Sequence, residues 1–457
     1  MKSRILTAAM MLAVATGTAA AQNGPQPNDA PKVDTTATAG RSPLSMVPAI
    51  TIQHIRPQDK RGLHMFESPK DDNIAYNGFK LDFGAAFTQQ FQDLDHSNTS
   101  TAVLVAGKNT NELIGIGKGF NNAVANLYLN AQLAPGIRVS MTSYLSSRHH
   151  NETWVKDGYI MIDESPIDVA ALNTIMKYTT LKVGHFEVNY GDSHFRRSDN
   201  GNAMHNPFVG NLILDPFTTE IGGEVYLRSN GFLAMAAVTG GEIKGQVAVP
   251  EKRSPSLITK LGFDKQLTSD LRVRLMGSAY TTKRSASNTL YSGDRAGSRY
   301  YDVLENTTST EAAQKSSGMV TPGFGLKVTA FQVNPFVKFH GLEAFGVIET
   351  ATGRGATEKS RRTIDQLSVE GVYRFLQDEK LFVGARYNTV SGELAGAAFK
   401  DLDIKVQRTQ LSGGWFVTPV LMLKGEYVSQ KYLDFPTTDI RNGGKFKGFM
   451  MEGVVAF

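Results

Sequence analysis

A series of short segments in which apolar and polar side chains alternate constrains the fold of this chain more than any other feature. One of them, at residues 79–88, reads FKLDFGAAFT, with an apolar residue at every second position. Alternation with a period of two is typical of a β-strand that has one apolar and one polar face. About sixteen such segments follow one another up to residue 457, and they predict an all-β fold.

The lengths of the connections between these segments also alternate. The short connections lie at 134–136, 228–231, 268–270, 333–335, 377–380 and 418–419. The long polar connections lie at about 93–122, 189–218, 241–256, 283–322, 350–362, 389–403 and 433–445. One connection on the short side, 163–178, is longer, and residues 167–176 within it predict a helical turn.

An even number of antiparallel strands, with short turns at one end and long loops at the other, is typical of a membrane-spanning barrel. We therefore predict an all-β fold in which residues 76–457 form a transmembrane antiparallel β-barrel of about 16 strands, with short periplasmic turns and long extracellular loops. Only a closed sheet satisfies every backbone donor and acceptor in lipid. A barrel of this size is too wide for its inward side chains to fill, so we expect water in its lumen.

The first residues of the sequence have the pattern of an export signal. A basic stretch at 1–4 precedes an apolar run at 5–15, and the small residues up to Ala21 suit cleavage. We predict a signal peptide at 1–21 and, from its polar and Pro-rich composition, a flexible periplasmic segment at 22–75. A second interpretation stays open for residues 46–75, namely that they enter the barrel and plug it. The absence of Cys is compatible with an exported protein that does not use disulfides.

The last strand of the sequence, at 449–457, has a pattern of its own. One face carries Phe449, Met451, Val455 and Phe457. The single charge, Glu452, lies on the other face. The segment resembles the terminal strand of Gram-negative outer-membrane β-barrels, which the barrel-insertion machinery recognises. The resemblance implies that the four residues form an assembly signal, and that the protein is located in the outer membrane of a Gram-negative bacterium.

A second resemblance lies in one strand and the loop that follows it, where residues 181–201 read LKVGHFEVNYGDSHFRRSDNG. This stretch resembles the phosphate-selective, or O/P-type, family of outer-membrane porins. In that family a strand of the form apolar-Lys-apolar-Gly-x-Phe leads through a Tyr-Gly or Phe-Gly step into a third loop that folds into the lumen. The chain departs from the family at Glu187, where a basic or polar residue is commoner, and it lacks the family's dense ladder of loop arginines.

The resemblance implies that the third loop forms the pore constriction, and the candidate residues there are His194, Arg196, Arg197 and Asp199. Guanidinium groups suit oxyanions because their N–H donors match pairs of oxygen atoms. The alternative is structural: Arg196 and Arg197 could pair with Asp192 and Asp199 and hold the loop against the wall.

The alternation also assigns charged side chains to the wall of the lumen. The basic residues predicted to face inward are Arg138, Lys182, Lys260, Arg272, Arg274, Lys338, Arg374, Arg386, Arg408 and Lys424. The acidic residues predicted to face inward are Asp82, Glu220, Glu224, Asp264, Glu370, Glu426 and Glu452. The modest excess of basic groups predicts a weak preference for anions, because rings of charged side chains bias which ion enters. The alternative is that these charges neutralise one another across neighbouring strands.

From these patterns we expect a porin, a passive diffusion channel for small hydrophilic solutes with a weak anion preference. Two alternatives stay open. One is a non-conducting barrel that serves as a surface-exposed binding or adhesion platform through its long loops. The other is a gated transporter of apolar substrates, with residues 46–75 as its plug.

The sequence contains neither a Gly-x-Ser-x-Gly nor a His-Glu-x-x-His motif. We predict no enzymatic activity, no cofactor and no metal site. The net charge of +5 is too mild to indicate a nucleic acid partner. The expected partners are the lipid bilayer of the outer membrane, the barrel-insertion machinery and small solutes that include anions. A homotrimer is compatible with this class of protein, and the choice between monomer and trimer stays open.

Overall fold

The computed structural model describes residues 47–70, 72–146, 153–241, 247, 249, 251, 253–294, 297–310 and 315–457. The predicted signal peptide at 1–21 and the residues from 22 to 46 lie outside this described part. Sixteen antiparallel strands form one closed barrel, which confirms the predicted fold class and strand number. No helix in the described part is long and apolar enough to cross a membrane.

The strands are numbered β1 to β18 in chain order. The sixteen strands of the barrel are β1 (Lys80–Ser97), β4 (Gly119–Ala134), β5 (Ile137–Ser146), β6 (Thr153–Ile162), β7 (Thr179–Glu187), β8 (Thr219–Ser229), β9 (Phe232–Thr239), β10 (Ser256–Gln266), β11 (Leu271–Thr282), β12 (Lys327–Phe339), β13 (Leu342–Arg354), β14 (Arg362–Phe375), β15 (Leu381–Glu393), β16 (Asp403–Thr418), β17 (Leu421–Leu433) and β18 (Lys445–Ala456). The remaining two, β2 (Leu104–Val105) and β3 (Lys108–Asn109), form a small hairpin in the loop after β1. Each barrel strand pairs with the next along the chain, and β18 pairs with β1 to close the sheet. A short helix, α1 (Ala170–Met176), lies between β6 and β7, within the predicted helical turn.

Strand β14 shows how the alternation produces the two faces of the wall. Every second residue is buried along almost its whole length. The buried positions include Gln366, Glu370 and Arg374, whereas Leu367 and Val369 are 43% and 56% exposed. The apolar face therefore points out of the barrel and the polar face points into it, as the sequence predicts.

The hairpin between β12 and β13 differs from the prediction. The sequence predicts a turn at 333–335, but the chain turns at His340 and Gly341, and Pro335 lies within β12. Pro335 fits there because the residue next to it on β13 is Gly346, where a Cβ atom would come within 2.9 Å of the proline Cγ. Since proline cannot donate to a ladder, it is rare inside a strand and usually marks a turn.

Two long loops fold into the barrel, so the expectation of a water-filled lumen is wrong for much of its volume. They are residues 188–218, which we call the lumen loop, and the described residues 283–294, 297–310 and 315–326, which we call the second inner loop. Ile213 of the first and Val303 of the second pack with wall residues such as Ile364 and Val406 in one buried apolar cluster. This cluster lies near the long-loop end, and the burial of its apolar surface stabilises the filled state.

A belt of charged side chains separates this cluster from a second one nearer the short turns. The second cluster contains Met204 and Phe208 of the lumen loop, packed against wall residues that include Met422. Along β17, Val428 belongs to the first cluster and Met422 to the second, and the inward-facing Lys424 and Glu426 lie between them. The charged belt therefore surrounds the lumen loop at the middle of the barrel.

The N-terminal segment, by which we mean the described residues 47–70 and 72–77, packs into the short-turn end of the barrel. The Lys60 backbone N–H donates to the Pro419 carbonyl at 2.9 Å. The Gln53 backbone N–H donates to Gln132 Oε1 at 2.9 Å. The described part of the segment predicted as flexible and periplasmic at 22–75 therefore has contacts with wall residues far away in the sequence, and its flexibility and its location stay predictions.

Candidate functional site in the barrel lumen

The lumen loop is held by polar side chains of the wall that bind its backbone. The Lys424 ammonium donates to the carbonyls of Ala203, Asn206 and Phe208 at 3.0, 2.8 and 2.8 Å. The Glu426 carboxylate accepts from the Val209 N–H at 2.8 Å. Buried backbone groups need such partners, and here the wall supplies what a sheet or helix would otherwise provide. The charged belt is therefore a binding surface for the loop.

Two of the predicted constriction residues are engaged with carboxylates. His194 Nδ1 lies 2.8 Å from Glu187 Oε1. Burial lowers the pKa of His194 below its ordinary value. Arg196 is only 7% exposed, and its Nη2 lies 3.2 Å from Glu343 Oε2 and 2.8 Å from Glu370 Oε1. Arg196 thus ties the lumen loop to β13 and β14.

The other two, Arg197 and Asp199, belong to a second buried network. The guanidinium of Arg197 pairs with Asp199 at 3.2 Å, Asp215 at 2.8 Å and Asp294 at 3.0 Å. Asp199 also pairs with Lys156 of β6 at 2.6 Å. The structural alternative predicted that Arg196 and Arg197 pair with Asp192 and Asp199 and hold the loop. The geometry agrees with it for the pair of Arg197 and Asp199. Asp192 instead lies in the cluster around Lys260.

Eight of the ten basic residues predicted to line the lumen wall have the following polar partners. The ion pairs are Arg138–Asp163, Lys182–Glu224, Arg272–Asp264, Arg274–Asp192, Lys338–Glu379, Arg374–Glu343 and Arg386–Glu370. Arg408 donates to the carbonyls of Asn211 and Gly318, both at 2.5 Å. Several of these pairs join adjacent strands, as the neutralisation alternative predicts.

An inner cavity of about 200 Å³ remains between the lumen loop, the N-terminal segment and strands β4 to β8. Its basic lining residues are Arg56, Arg138, Lys156, Lys182, Arg197 and Arg228, and its acidic ones are Glu67, Asp157, Glu187 and Asp199. Burial lowers the pKa of the Arg56 guanidinium to about 10, so this group is still charged at neutral pH. Basic groups therefore outnumber acidic ones in the lining by two.

A larger cavity of about 1080 Å³, which we call the vestibule, lies at the short-turn end. It is lined by the N-terminal segment, the connection between β6 and β7, and the turn after β8. The inner cavity and the vestibule share Phe66, Glu67, Ser68 and Arg228 as lining residues. The N-terminal segment therefore stands at the junction between them.

The junction is fixed by Glu67, whose carboxylate lies 3.2 Å from Lys260 Nζ and 2.9 Å from Arg274 Nη1. Burial alone would raise the pKa of Glu67, but Arg274 and Lys260 hold it well below its ordinary value. Sequence reasoning missed Glu67 and Arg56. The available signal was the density of charges between residues 56 and 70, and that signal does not specify which distant strands are their partners.

Within the described residues, no group of three or more His, Cys, Asp or Glu side chains is arranged to hold a metal ion. No protein-family model matches the chain. No curated protein matches it.

Solved structures of outer-membrane proteins are similar to the chain. One is in-vitro folded OmpT of Vibrio cholerae, with 12% identity and a TM-score of 0.47 over 84% of this chain and 99% of that one. Another is the anion-selective porin from Comamonas acidovorans, with 11% identity and a TM-score of 0.48 over 83% of this chain and 100% of that one. A third is OprB of Pseudomonas putida, with 10% identity and a TM-score of 0.49 over 83% of this chain and 94% of that one. These similarities concern the barrel fold.

Proposed function

We propose that the protein is an outer-membrane channel of the porin class that admits small hydrophilic solutes, and that residues 47–77 close it at the periplasmic end. The observation that carries this proposal is the succession of two polar cavities, the vestibule and the inner cavity, with the N-terminal segment at their junction. Polar groups along such a path replace the hydration of a passing solute. The apolar outward face of the strands supports a membrane location.

A weak preference for anions follows from the charges of the inner cavity. Its lining contains two more basic than acidic side chains. Charges that face a narrow space are screened less than charges on exposed loops. The ion pairs of the wall lower this preference, because most of the predicted lumen cations already have a carboxylate partner. The candidate constriction at His194, Arg196, Arg197 and Asp199 therefore acts chiefly through the shape of the loop that these residues hold.

The non-conducting platform is a second candidate, favoured by the three apolar clusters that fill part of the lumen. A gated transporter of apolar substrates has less support, because the inner cavity is lined mainly by polar and charged side chains. Assembly through the insertion machinery and a homotrimeric state stay predictions.

Single-channel recording in planar bilayers tests the proposal on two deletion variants of equal length. Deletion of residues 47–70 should raise the conductance several-fold, because it opens the junction between the vestibule and the inner cavity. Deletion of residues 22–45 removes the same number of residues from outside the N-terminal segment and should leave the conductance at the level of the full chain. Reversal potentials across a salt gradient should show a modest anion preference in the variant that lacks 47–70.

If both folded deletion variants fail to conduct, the channel proposal is wrong and the non-conducting platform gains support. If the two variants conduct equally well and better than the full chain, the channel stands but closure by residues 47–77 does not.

A further inference from the structure

The carboxylate of Glu67 occupies a cradle of donors that belongs to the wall and the lumen loop. We use the term carboxylate cradle for Lys260 of β10, Arg274 of β11 and Asn189 of the lumen loop. Lys260 Nζ and Arg274 Nη2 approach Glu67 Oε1 at 3.2 and 3.0 Å. Arg274 Nη1 approaches Oε2 at 2.9 Å, and Asn189 Nδ2 donates to Oε1 at 3.2 Å. Both oxygens of one carboxylate are therefore bound by separate donors.

The cradle is part of a buried cluster whose charges balance only while Glu67 is present. Lys260 and Arg274 also pair with Asp192, at 2.6 and 2.7 Å. Arg274 and Arg272 both pair with Asp264, at 2.9 and 2.7 Å. The cluster thus contains three cations and three carboxylates, and withdrawal of Glu67 leaves one uncompensated positive charge. Lys260 and Arg274 are 2% exposed, and an unpaired charge at such a depth is strongly unfavourable.

Glu67 is the member of this cluster that lies outside both the sheet and the lumen loop. Lys260, Arg272 and Arg274 are fixed in paired strands. Asp192 is fixed in the lumen loop, where its backbone N–H donates to Asn334 Oδ1 at 2.9 Å. Glu67 instead belongs to the N-terminal segment, which contributes no strand to the sheet. It also lines both the vestibule and the inner cavity, so its departure would expose the cradle at their junction.

We propose that the carboxylate cradle is a binding site for the carboxylate group of a small anionic solute, and that Glu67 occupies it as a tethered competitor. This inference rests on the proposed channel, because it places the site on the path between the vestibule and the inner cavity. A carboxylate suits the site better than chloride, since two separate oxygen atoms meet the fork of Arg274 and the ammonium of Lys260. A solute carboxylate would replace the charge that Glu67 supplies and so make withdrawal of the segment favourable.

Chemical rescue of Glu67→Ala by acetate tests the cradle. The substitution removes the carboxylate and leaves room for an acetate ion. The unfolding temperature of each purified barrel is measured in acetate and in chloride at equal ionic strength. The rise on going from chloride to acetate should be roughly 2–4 °C larger for Glu67→Ala than for the unsubstituted chain. Glu67→Gln removes the charge but keeps the side-chain volume, so acetate should have little effect on it.

Two further variants serve as controls. Glu164→Ala removes an exposed carboxylate that lines the vestibule outside the cradle, and acetate should not stabilise it. Adding Lys260→Gln to Glu67→Ala should abolish the response to acetate, because the second donor is lost. An acetate effect of equal size in Glu67→Ala and Glu164→Ala, or none in either, would overturn the proposal.

If Glu67→Ala does not fold in chloride, the yield of folded barrel on refolding becomes the measurement. Acetate should restore that yield, and failure to restore it counts against the cradle. Bilayer recording then separates the two proposals. If acetate stabilises Glu67→Ala but the barrel does not conduct, the channel is rejected and the cradle is kept. If Glu67→Ala conducts, and acetate neither alters its conductance nor stabilises it, the cradle is rejected and the channel is kept.

Discussion

At the scale of single residues, the charged belt of the lumen holds the lumen loop in place. Arg386 of β15 pairs with Glu370 of β14 and also donates to the Gly210 carbonyl at 3.0 Å. Arg197 extends from the loop itself and meets Asp215 and Asp294. Such groups are costly to bury singly and stable only as complete networks. The charges of this barrel are therefore as much a part of its packing as its apolar clusters are.

Arg197→Gln should lower the free energy of unfolding by about 3–5 kcal/mol, because it removes the cation that pairs with the buried carboxylate of Asp215. Arg361→Gln is the matched control, since it makes the same chemical change at an exposed position and should alter the free energy of unfolding by less than about 0.5 kcal/mol. Urea unfolding of the two purified barrels measures the difference. Equal midpoints would mean that the Arg197 network does not stabilise the fold.

The directions of the wall side chains could be predicted from the sequence, but their partners could not. A period of two fixes which residues of a strand share a face, and it predicts that Arg138, Lys182 and Arg374 face the lumen. Their environment depends on what else enters the barrel. Lys424, for example, donates to carbonyls more than two hundred residues away along the chain. No local pattern encodes such a contact, because it arises only when the closed wall surrounds the loop.

At the scale of elements, the strands that follow a simple alternation were predicted well, and the elements that depend on a distant partner were not. The turn between β12 and β13 was misplaced because proline usually marks a turn, whereas Pro335 lies within β12 beside Gly346. The N-terminal segment was expected to be flexible because it lacks periodicity. It is held by single contacts such as the one from Arg272 Nη1 to the His64 carbonyl at 2.8 Å, which leave no periodic trace in the sequence.

The last strand, β18, carries the predicted assembly signal, and Phe449, Met451 and Phe457 are exposed on its outward face. Phe457→Glu should reduce the amount of folded barrel in outer membranes several-fold, because a charge replaces the aromatic group that the insertion machinery is expected to recognise. Phe79→Glu makes the same change at another outward-facing position, which is 66% exposed, and should have a smaller effect.

The heat-modifiable, folded form in isolated membranes measures this prediction, and refolding of both purified variants in detergent separates recognition from stability. We expect Phe457→Glu to refold in detergent as well as Phe79→Glu does, but to give less folded barrel in the membranes of cells. Equal amounts of folded Phe457→Glu and Phe79→Glu barrel in membranes would argue that Phe457 is not part of an assembly signal.

At the scale of the whole molecule, a wide barrel has two ways to avoid an empty interior: it can hold water, or it can fold its own chain inward. This protein folds its own chain inward and keeps two cavities. Apolar clusters fill one part of the lumen, and the vestibule and inner cavity lie on the side of β4 to β11. The N-terminal segment is attached to the barrel by chain continuity only at its end near β1, so its release changes the junction without opening the sheet.

Release of the N-terminal segment should depend on pH through His205, which is buried, and His64, which is half-buried. Burial lowers the pKa of His64, in the segment, and of His205, whose Nε2 lies 3.2 Å from the Asp59 carbonyl. When the segment leaves, both imidazoles gain water and their pKa values return towards about 6.5. Between the lowered pKa values of the two histidines in the closed state and about pH 6.5, the released state binds more protons than the closed state. A fall in pH through this range therefore favours release.

The conductance of the full chain should therefore rise when the pH is lowered from about 7.5 to about 5.5. Glu67 and Glu379 do not reverse this effect, because their pKa values are lowered in the closed state and their contribution to closure is lost only at more acidic pH.

His64→Gln combined with His205→Gln should flatten this dependence of the conductance on pH. His340→Gln removes an exposed imidazole, with a side chain 62% accessible, and should leave it intact. Bilayer recordings at the two pH values decide the matter: a rise of the same size in the double variant would show that protonation elsewhere in the barrel controls closure.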